Sequence, residues 1–230
     1  MTALNRKLAV EFIGTFIFVF TIGTATAKLN PSSPIAPLAI GSALMVMIFA
    51  GGHISGGHYN PAVSTAVLVR GKMTQQEWLG YVVTQLVAAV LGGLFATIVA
   101  GHQHASPLAS TGKVLLAEFI FTFALAYVVL NVATARATEG NSFYGLAIGF
   151  TVLAGAFAVG GISGAAFNPA VALGQIVHGA VGFSNIWKYW LAEFIAGGVA
   201  GWVFLMVSEP EASAPPVRPE PPLPPRPTVP

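Results

Sequence analysis

No cysteine occurs anywhere in the 230 residues, so disulfides and thiolate metal sites are excluded and the redox compartment stays open. Charge is almost as scarce. Asp, Glu, Lys and Arg together make up 8% of the chain, far less than a soluble domain of this size needs to cover its surface. The rest is strongly apolar, at 55% hydrophobic residues and a mean hydropathy of +0.75. The small charge sums to +2, with a pI near 9.0. In so apolar a chain the basic residues are read as fixing orientation in a membrane, not as binding nucleic acid.

Several stretches reach the ~20 apolar residues that a hydrocarbon core requires. They include LAVEFIGTFIFVFTIGTATA (8–27), WLGYVVTQLVAAVLGGLFATIVA (78–100) and VLLAEFIFTFALAYVVLNVA (114–133). The first run carries Glu11 and is followed by further spans, so it reads as a retained helix and not as a cleaved signal. The expected fold class is an all-α membrane protein.

The chain also repeats itself. LAVEFIGTFIFVF (8–20) returns as LLAEFIFTFALAY (115–127), ISGGHYNPAV (54–63) as ISGAAFNPAV (162–171), and YVVTQLVAAVLGG (81–93) more weakly as YWLAEFIAGGVAG (189–201). All three echoes lie 107 or 108 positions apart. Two repeats follow, 1–108 and 109–208, with spans expected at 8–27, 35–52 and 78–100, then 113–133, 143–160 and 187–208. An odd number of crossings per repeat makes the second copy enter from the opposite face, giving inverted repeats about an axis in the membrane plane. With a cytoplasmic N-terminus, Arg6, Lys7, Arg70, Lys72, Arg136, Arg218 and Arg226 fall inside, and Lys28, Lys113 and Lys188 outside. That asymmetry places both termini in the cytoplasm. Residues 209–230 are proline-rich and expected to be a disordered cytoplasmic tail, within which PPLPPR also fits a PxxPxR docking pattern.

Each repeat breaks its own apolar pattern at an Asn-Pro pair, Asn60-Pro61 and Asn168-Pro169. Asparagine is a strong N-cap, and proline suits the first helical position because its missing N–H would be unpaired there. The spacing predicts half-helices at 61–70 and 169–178, each about 15 Å long at 1.5 Å per residue. That is half of a ~30 Å core, so two such pieces entering from opposite faces meet at the midplane. The stretches before them, GGHISGGHY and GGISGAAF, hold backbone groups that lipid cannot satisfy, so they must lie in protein or line water. Asparagine caps with its oxygen and still offers an NH2, whereas aspartate would add a negative charge and no donor. Two helix N-termini and two NH2 groups make a centre that attracts a water oxygen and repels cations.

These motifs resemble the aquaporin, or major intrinsic protein, family over about residues 5–208. The paired boxes Asn60, Pro61, Ala62 and Asn168, Pro169, Ala170, with the AEF-type starts of the first and fourth spans, carry the resemblance. It implies an aquaporin-like bundle of six transmembrane helices plus two re-entrant half-helices, assembled as a homotetramer with one pore per subunit. It further implies a carbonyl ladder at Gly56, Gly57, His58 and Tyr59 and at Gly164, Ala165, Ala166 and Phe167. Glu11 and Glu118 match the family's buried carboxylates, with a structural role toward the half-helix loops. The second constriction of the family falls on Ile40, Ala156, Ala165 and Val171. Strict water channels place an aromatic residue, a histidine, a small residue and an arginine there. This sequence lacks the arginine and the histidine, and its NPAV resembles some plant vacuolar-membrane members that pass more than water.

The resulting expectation is a passive channel, with no cofactor, metal or catalytic residue, in the plasma or bacterial inner membrane. It would pass water and small uncharged solutes (glycerol, urea or ammonia) and exclude ions and protons, with lipid its surroundings. Loss of the arginine removes a positive barrier and a donor and widens the filter, while apolar walls favour dewetting. An inverted-repeat secondary transporter is the alternative, although its breaks would carry coupling carboxylates and these hold none. His53 and His58 read as pore-loop packing, His102 and His104 as a solvated loop with weak metal binding or pH gating as the alternative, and His178 as favouring the dipole at the end of the second half-helix. Glu193 falls where Gln85 sits in the first repeat, and reads either as buried with a polar partner or as a titratable gate.

Overall fold

The computed structural model describes residues 2–28, 35–105 and 107–208. The expected tail at 209–230 lies outside them. Among the described residues, eight α-helices follow in order: α1 (Ala3–Lys28), α2 (Ile35–Ser55), α3 (Pro61–Val69), α4 (Gln75–Ala100), α5 (Thr111–Ala133), α6 (Tyr144–Ser163), α7 (Pro169–His178) and α8 (Ile186–Val207). Six of them are long and apolar enough to cross a membrane. The other two, α3 and α7, have 9 and 10 residues. They start at the two Asn-Pro pairs, as the capping argument requires.

Two differences from the sequence reading concern helix length. Helix α1 begins at Ala3, so Arg6 and Lys7 sit in its first turns. Helices α2 and α6 run on through their terminal glycines to Ser55 and Ser163. The non-helical segments therefore shrink to Gly56–Tyr59 and Gly164–Phe167, four residues each. Each helix stops at a glycine in the left-handed region, Gly56 at φ 90° and Gly164 at φ 85°, where a side chain would be strained. The serine hydroxyls then accept the next free amide, Gly57 N at 3.1 Å and Ala165 N at 3.2 Å.

The exterior is apolar, and a few polar groups are buried within a largely apolar core. Glu11, Gln85, Glu118 and Glu193 are fully buried, whereas Ile98, Leu116, Trp202 and Leu205 are exposed. An exposed belt of large apolar side chains belongs against lipid, and the buried polar groups need internal hydrogen-bond partners. Helix α1 packs on α2 and α4, α5 on α6 and α8, and α2 on α6 across the two repeats. Each half-helix lies mainly against the last span of the other repeat, α3 on α8 and α7 on α4. Glycines permit those approaches. A Cβ on Gly197 would stand 2.3 Å from the Ala62 carbonyl oxygen, and one on Gly93 would stand 2.7 Å from that of Gly174.

Candidate functional site

The two half-helices meet at their N-termini, and their asparagines are tied across the junction. Asn60 Oδ1 accepts from Ala62 N at 2.8 Å and Val63 N at 3.4 Å, capping α3. Asn168 Oδ1 does the same for α7, from Ala170 N at 2.9 Å and Val171 N at 3.4 Å. Their amide nitrogens cross over. Asn60 Nδ2 donates to the Phe167 carbonyl at 2.9 Å, and Asn168 Nδ2 donates to the Tyr59 carbonyl at 2.8 Å. Each NH2 has two hydrogens, so one of each holds the opposite loop and the other is left over.

The loops themselves are held in an unusual conformation. Among the described residues, the only non-glycines with positive φ are Tyr59 (48°), Ala165 (52°) and Phe167 (52°), and left-handed backbone costs an L-residue about 1–2 kcal/mol. The buried carboxylates offset this cost. Glu11 Oε1 accepts from Ser55 Oγ at 2.7 Å and His58 N at 3.0 Å, and Oε2 accepts from Tyr59 N at 2.7 Å and Gln85 Nε2 at 2.8 Å. Glu118 accepts from Ala166 N at 3.2 Å and Phe167 N at 2.7 Å. Successive amides converging on one anion form a backbone nest. Both glutamates singled out in the sequence thus bond the half-helix loops directly.

Side chains lock each loop from behind. Tyr81 donates to the Ser55 carbonyl at 2.6 Å, and Tyr189 donates to the Ser163 carbonyl. The Tyr59 side chain fills the space left by Gly14 and Gly51, where a Cβ would come within 2.1 Å of its ring and 2.2 Å of its hydroxyl. The Phe167 ring does the same at Gly155, at 2.5 Å. Ser55, Ser163, Tyr81, Tyr189 and Gln85 were not singled out in the sequence. A signal was available, since each of the two like pairs sits at the 108-residue repeat spacing.

At the junction lies an enclosed cavity of about 10 Å³. It is bordered by Asn60, Asn168, Gly57, His58 and Ala166, with Phe18, Leu44, Val63, Leu125, Val129, Ile148 and Val152 as apolar walls. That volume is about one water-sized probe. A larger, open cavity of about 720 Å³ lies on the side of the first loop, reaching Lys7, Lys72, Glu77, Arg136 and Glu139. His58 borders both cavities. Its Nδ1 is paired with Ser64 Oγ at 3.0 Å, and its ring stands edge-on to Tyr81.

The remaining sequence candidates are placed as follows. Ile40 is on α2, Ala156 on α6, Ala165 in the second loop and Val171 in the first turn of α7. None of these four borders the small cavity. Ile40 is half-buried and Val171 is buried. Of the expected carbonyls, those of Tyr59 and Phe167 accept from the asparagines, and that of Gly164 accepts from Gln175 Nε2 at 3.1 Å. Each keeps a second lone pair. His178 is the last residue of α7, its Nδ1 paired with Thr97 Oγ1 at 3.3 Å, and its carbonyl accepts from Gln103 N. Among the described residues no three His, Asp or Glu side chains are grouped to hold a metal.

Six spans, two capped half-helices and a polar seam between inverted repeats define a membrane protein of the channel-forming, broken-helix class. The family model of the major intrinsic proteins matches residues 1–204, and the chain belongs to that family. It is 36% identical over 215 residues to nodulin-26 of Glycine max, covering 88% of this chain and 78% of that one. It is 34% identical over 211 residues to glycerol uptake facilitator protein-like 6 of Lactiplantibacillus plantarum, covering 86% and 95%. The solved aquaglyceroporin of Plasmodium falciparum superposes with a TM-score of 0.75 at 23% identity, covering 89% of this chain and 96% of that one.

Proposed function

We propose that the chain is a passive channel for water and small uncharged solutes, glycerol, urea or ammonia among them, that excludes ions and protons. The observation that carries this is the crossed pair of asparagine amides over a one-water cavity. The leftover N–H of each amide serves the oxygen of a water held there. A water whose oxygen accepts from both amides has no lone pair for a neighbouring donor, so the proton wire is interrupted. The two α-helix N-termini add positive potential against cations. The carbonyls of Gly57, His58 and Ala166 supply acceptors along the wall.

In this reading Asn60, Pro61, Ala62, Asn168, Pro169 and Ala170 form the central constriction. Ile40, Ala156, Ala165 and Val171 form a second, wider and uncharged one. Named relatives that include a glycerol uptake facilitator support the wider substrate range. Both termini are assigned to the cytoplasm of a cell membrane, with lipid around a homotetramer. The transporter alternative needs coupling carboxylates at the helix breaks. Glu11 and Glu118 instead spend their oxygens on loop amides, and no carboxylate borders the small cavity.

Stopped-flow measurements on proteoliposomes test this, comparing osmotic shrinkage with swelling in glycerol and urea. Fast, unsaturable water flux without proton leak is expected. Saturable, ion-dependent uptake would replace the channel with a transporter.

A further inference from the structure

The two repeats hold their loops in the same way but differ in three of the side chains around them. In the first, Gln85 of α4 donates its amide to Glu11 Oε2 at 2.8 Å and to Ser64 Oγ at 3.2 Å. One repeat later, the counterpart of Gln85 is Glu193, that of Ser64 is Ala172 and that of His58 is Ala166. The second loop has therefore lost two polar side chains and gained a carboxyl. Glu193 and Glu118 are both fully buried and accept from adjacent backbone amides of the second loop, Glu118 Oε2 from Phe167 N at 2.7 Å and Glu193 Oε1 from Asn168 N at 2.9 Å. The other carboxyl oxygen, Glu193 Oε2, is buried and has no hydrogen-bond partner among the described residues.

Two carboxylates side by side in dry protein repel, and an acceptor cannot bond an acceptor. Around Glu193, the titratable groups among the described residues are Glu118 on α5 and the Tyr189 phenol on α8. The Tyr189 hydroxyl is already given to the Ser163 carbonyl. From α3 and α7, which also pack on α8, no cation reaches the pair. A single proton resolves the geometry. On Glu193 it makes a hydroxyl that does for Glu118 what the Gln85 amide does for Glu11.

We propose that Glu193 is a proton-holding positioning residue. As the neutral acid it donates to Glu118 through Oε2 and accepts from the Asn168 backbone through Oε1, and so fixes the second asparagine at the pore centre. It touches no permeant and acts through Glu118 and Asn168. This rests on the channel reading for its consequence, but the proton itself is observable without transport. Since the donor is needed and the charge is not, glutamine is a replacement and leucine is not.

The test combines infrared spectroscopy with water flux for the full chain, Glu193→Gln and Glu193→Leu in proteoliposomes. The native protein should show a protonated-carboxyl C=O stretch between about pH 5 and 9 that Glu193→Gln removes. Flux through Glu193→Gln should stay within about twofold of native across that range, and through Glu193→Leu should fall by about tenfold. The absence of that band from the native protein would overturn the proposal even if water flux is normal. So would a Glu193→Gln protein as impaired as Glu193→Leu, or a Glu193→Leu protein with native flux. Should Glu193→Leu fail to fold, the band and the Glu193→Gln profile decide.

Discussion

Adding one methyl group at Gly197 should close the channel, because it would strike the backbone of the half-helix that carries Asn60. The new Cβ would lie 2.3 Å from the Ala62 carbonyl oxygen, 3.0 Å from its carbonyl carbon and 3.2 Å from its Cα. These are backbone atoms, and ordinary contact begins at 3.4 Å, so α3 and α8 must part by about 1 Å. Ala62 N is bonded to Asn60 Oδ1 at 2.8 Å, and Asn60 Nδ2 to Phe167 O at 2.9 Å. A retreat of that size takes the second bond to about 3.9 Å, beyond hydrogen-bonding range. Overpacking of this kind costs about 1–3 kcal/mol and a lost hydrogen bond about 1 kcal/mol more. With room for one water at the junction, flux should fall by about tenfold or more. Gly198→Ala is the matched control, since nothing lies within 4 Å of its Cβ. Stopped-flow permeability and thermal unfolding in detergent measure both effects. If Gly197→Ala matched Gly198→Ala in both, the close approach of α8 to α3 would not govern the pore.

Three further outcomes follow from the same contacts. Val171→Arg puts a cation and donors at the proposed second constriction, so glycerol and urea flux should drop several-fold more than water flux, by swelling assays; equal losses would remove Val171 from the filter. Glu11→Gln replaces an anion that accepts four hydrogen bonds with an amide that has one acceptor oxygen. It should destabilise by about 2–3 kcal/mol in thermal unfolding, and a fully stable variant would show that the loop does not need the charge. The Lys7–Glu77 pair, at 2.9 Å with side chains 38% and 27% exposed, should matter little: Lys7→Met should cost under about 1 kcal/mol, and less in high salt.

Much of this site is written locally and could be read from the chain. Asn60-Pro61 and Asn168-Pro169 specify half-helix starts because capping needs only residues adjacent in sequence. Glu11 and Glu118 were legible because a carboxylate inside an apolar run must find donors. The glycines misled. The stretches read as non-helical begin at Gly51 and Gly160 and overlap the spans expected to 52 and 160, yet α2 and α6 continue to Ser55 and Ser163. Gly51 is there to admit the Tyr59 side chain, a contact with a residue beyond the end of its own helix. Nor could local pattern reveal that the first amide is spent partly on Phe167, over a hundred residues away. Such partners are set by how the repeats close on one another.

That closure makes the two asparagines one unit, and the consequence is measurable. Asn60→Ala removes a cap and leaves the Phe167 carbonyl without its donor, while Asn168→Ala does the same to α7 and the Tyr59 carbonyl. Each single change should cost about 2–4 kcal/mol, from the cap and the buried unpaired carbonyl together. The two are not independent, because each amide holds the loop that carries the other asparagine. Once Asn60 is gone, the second loop is freed and the Asn168 bond to Tyr59 has less to hold. The double variant should therefore be less destabilised than the sum of the singles, with a coupling of about 0.5–3 kcal/mol in a thermal double-mutant cycle. Simple additivity would mean that the crossed bonds do not join the repeats, and the centre of the pore would be two separate caps that happen to be neighbours.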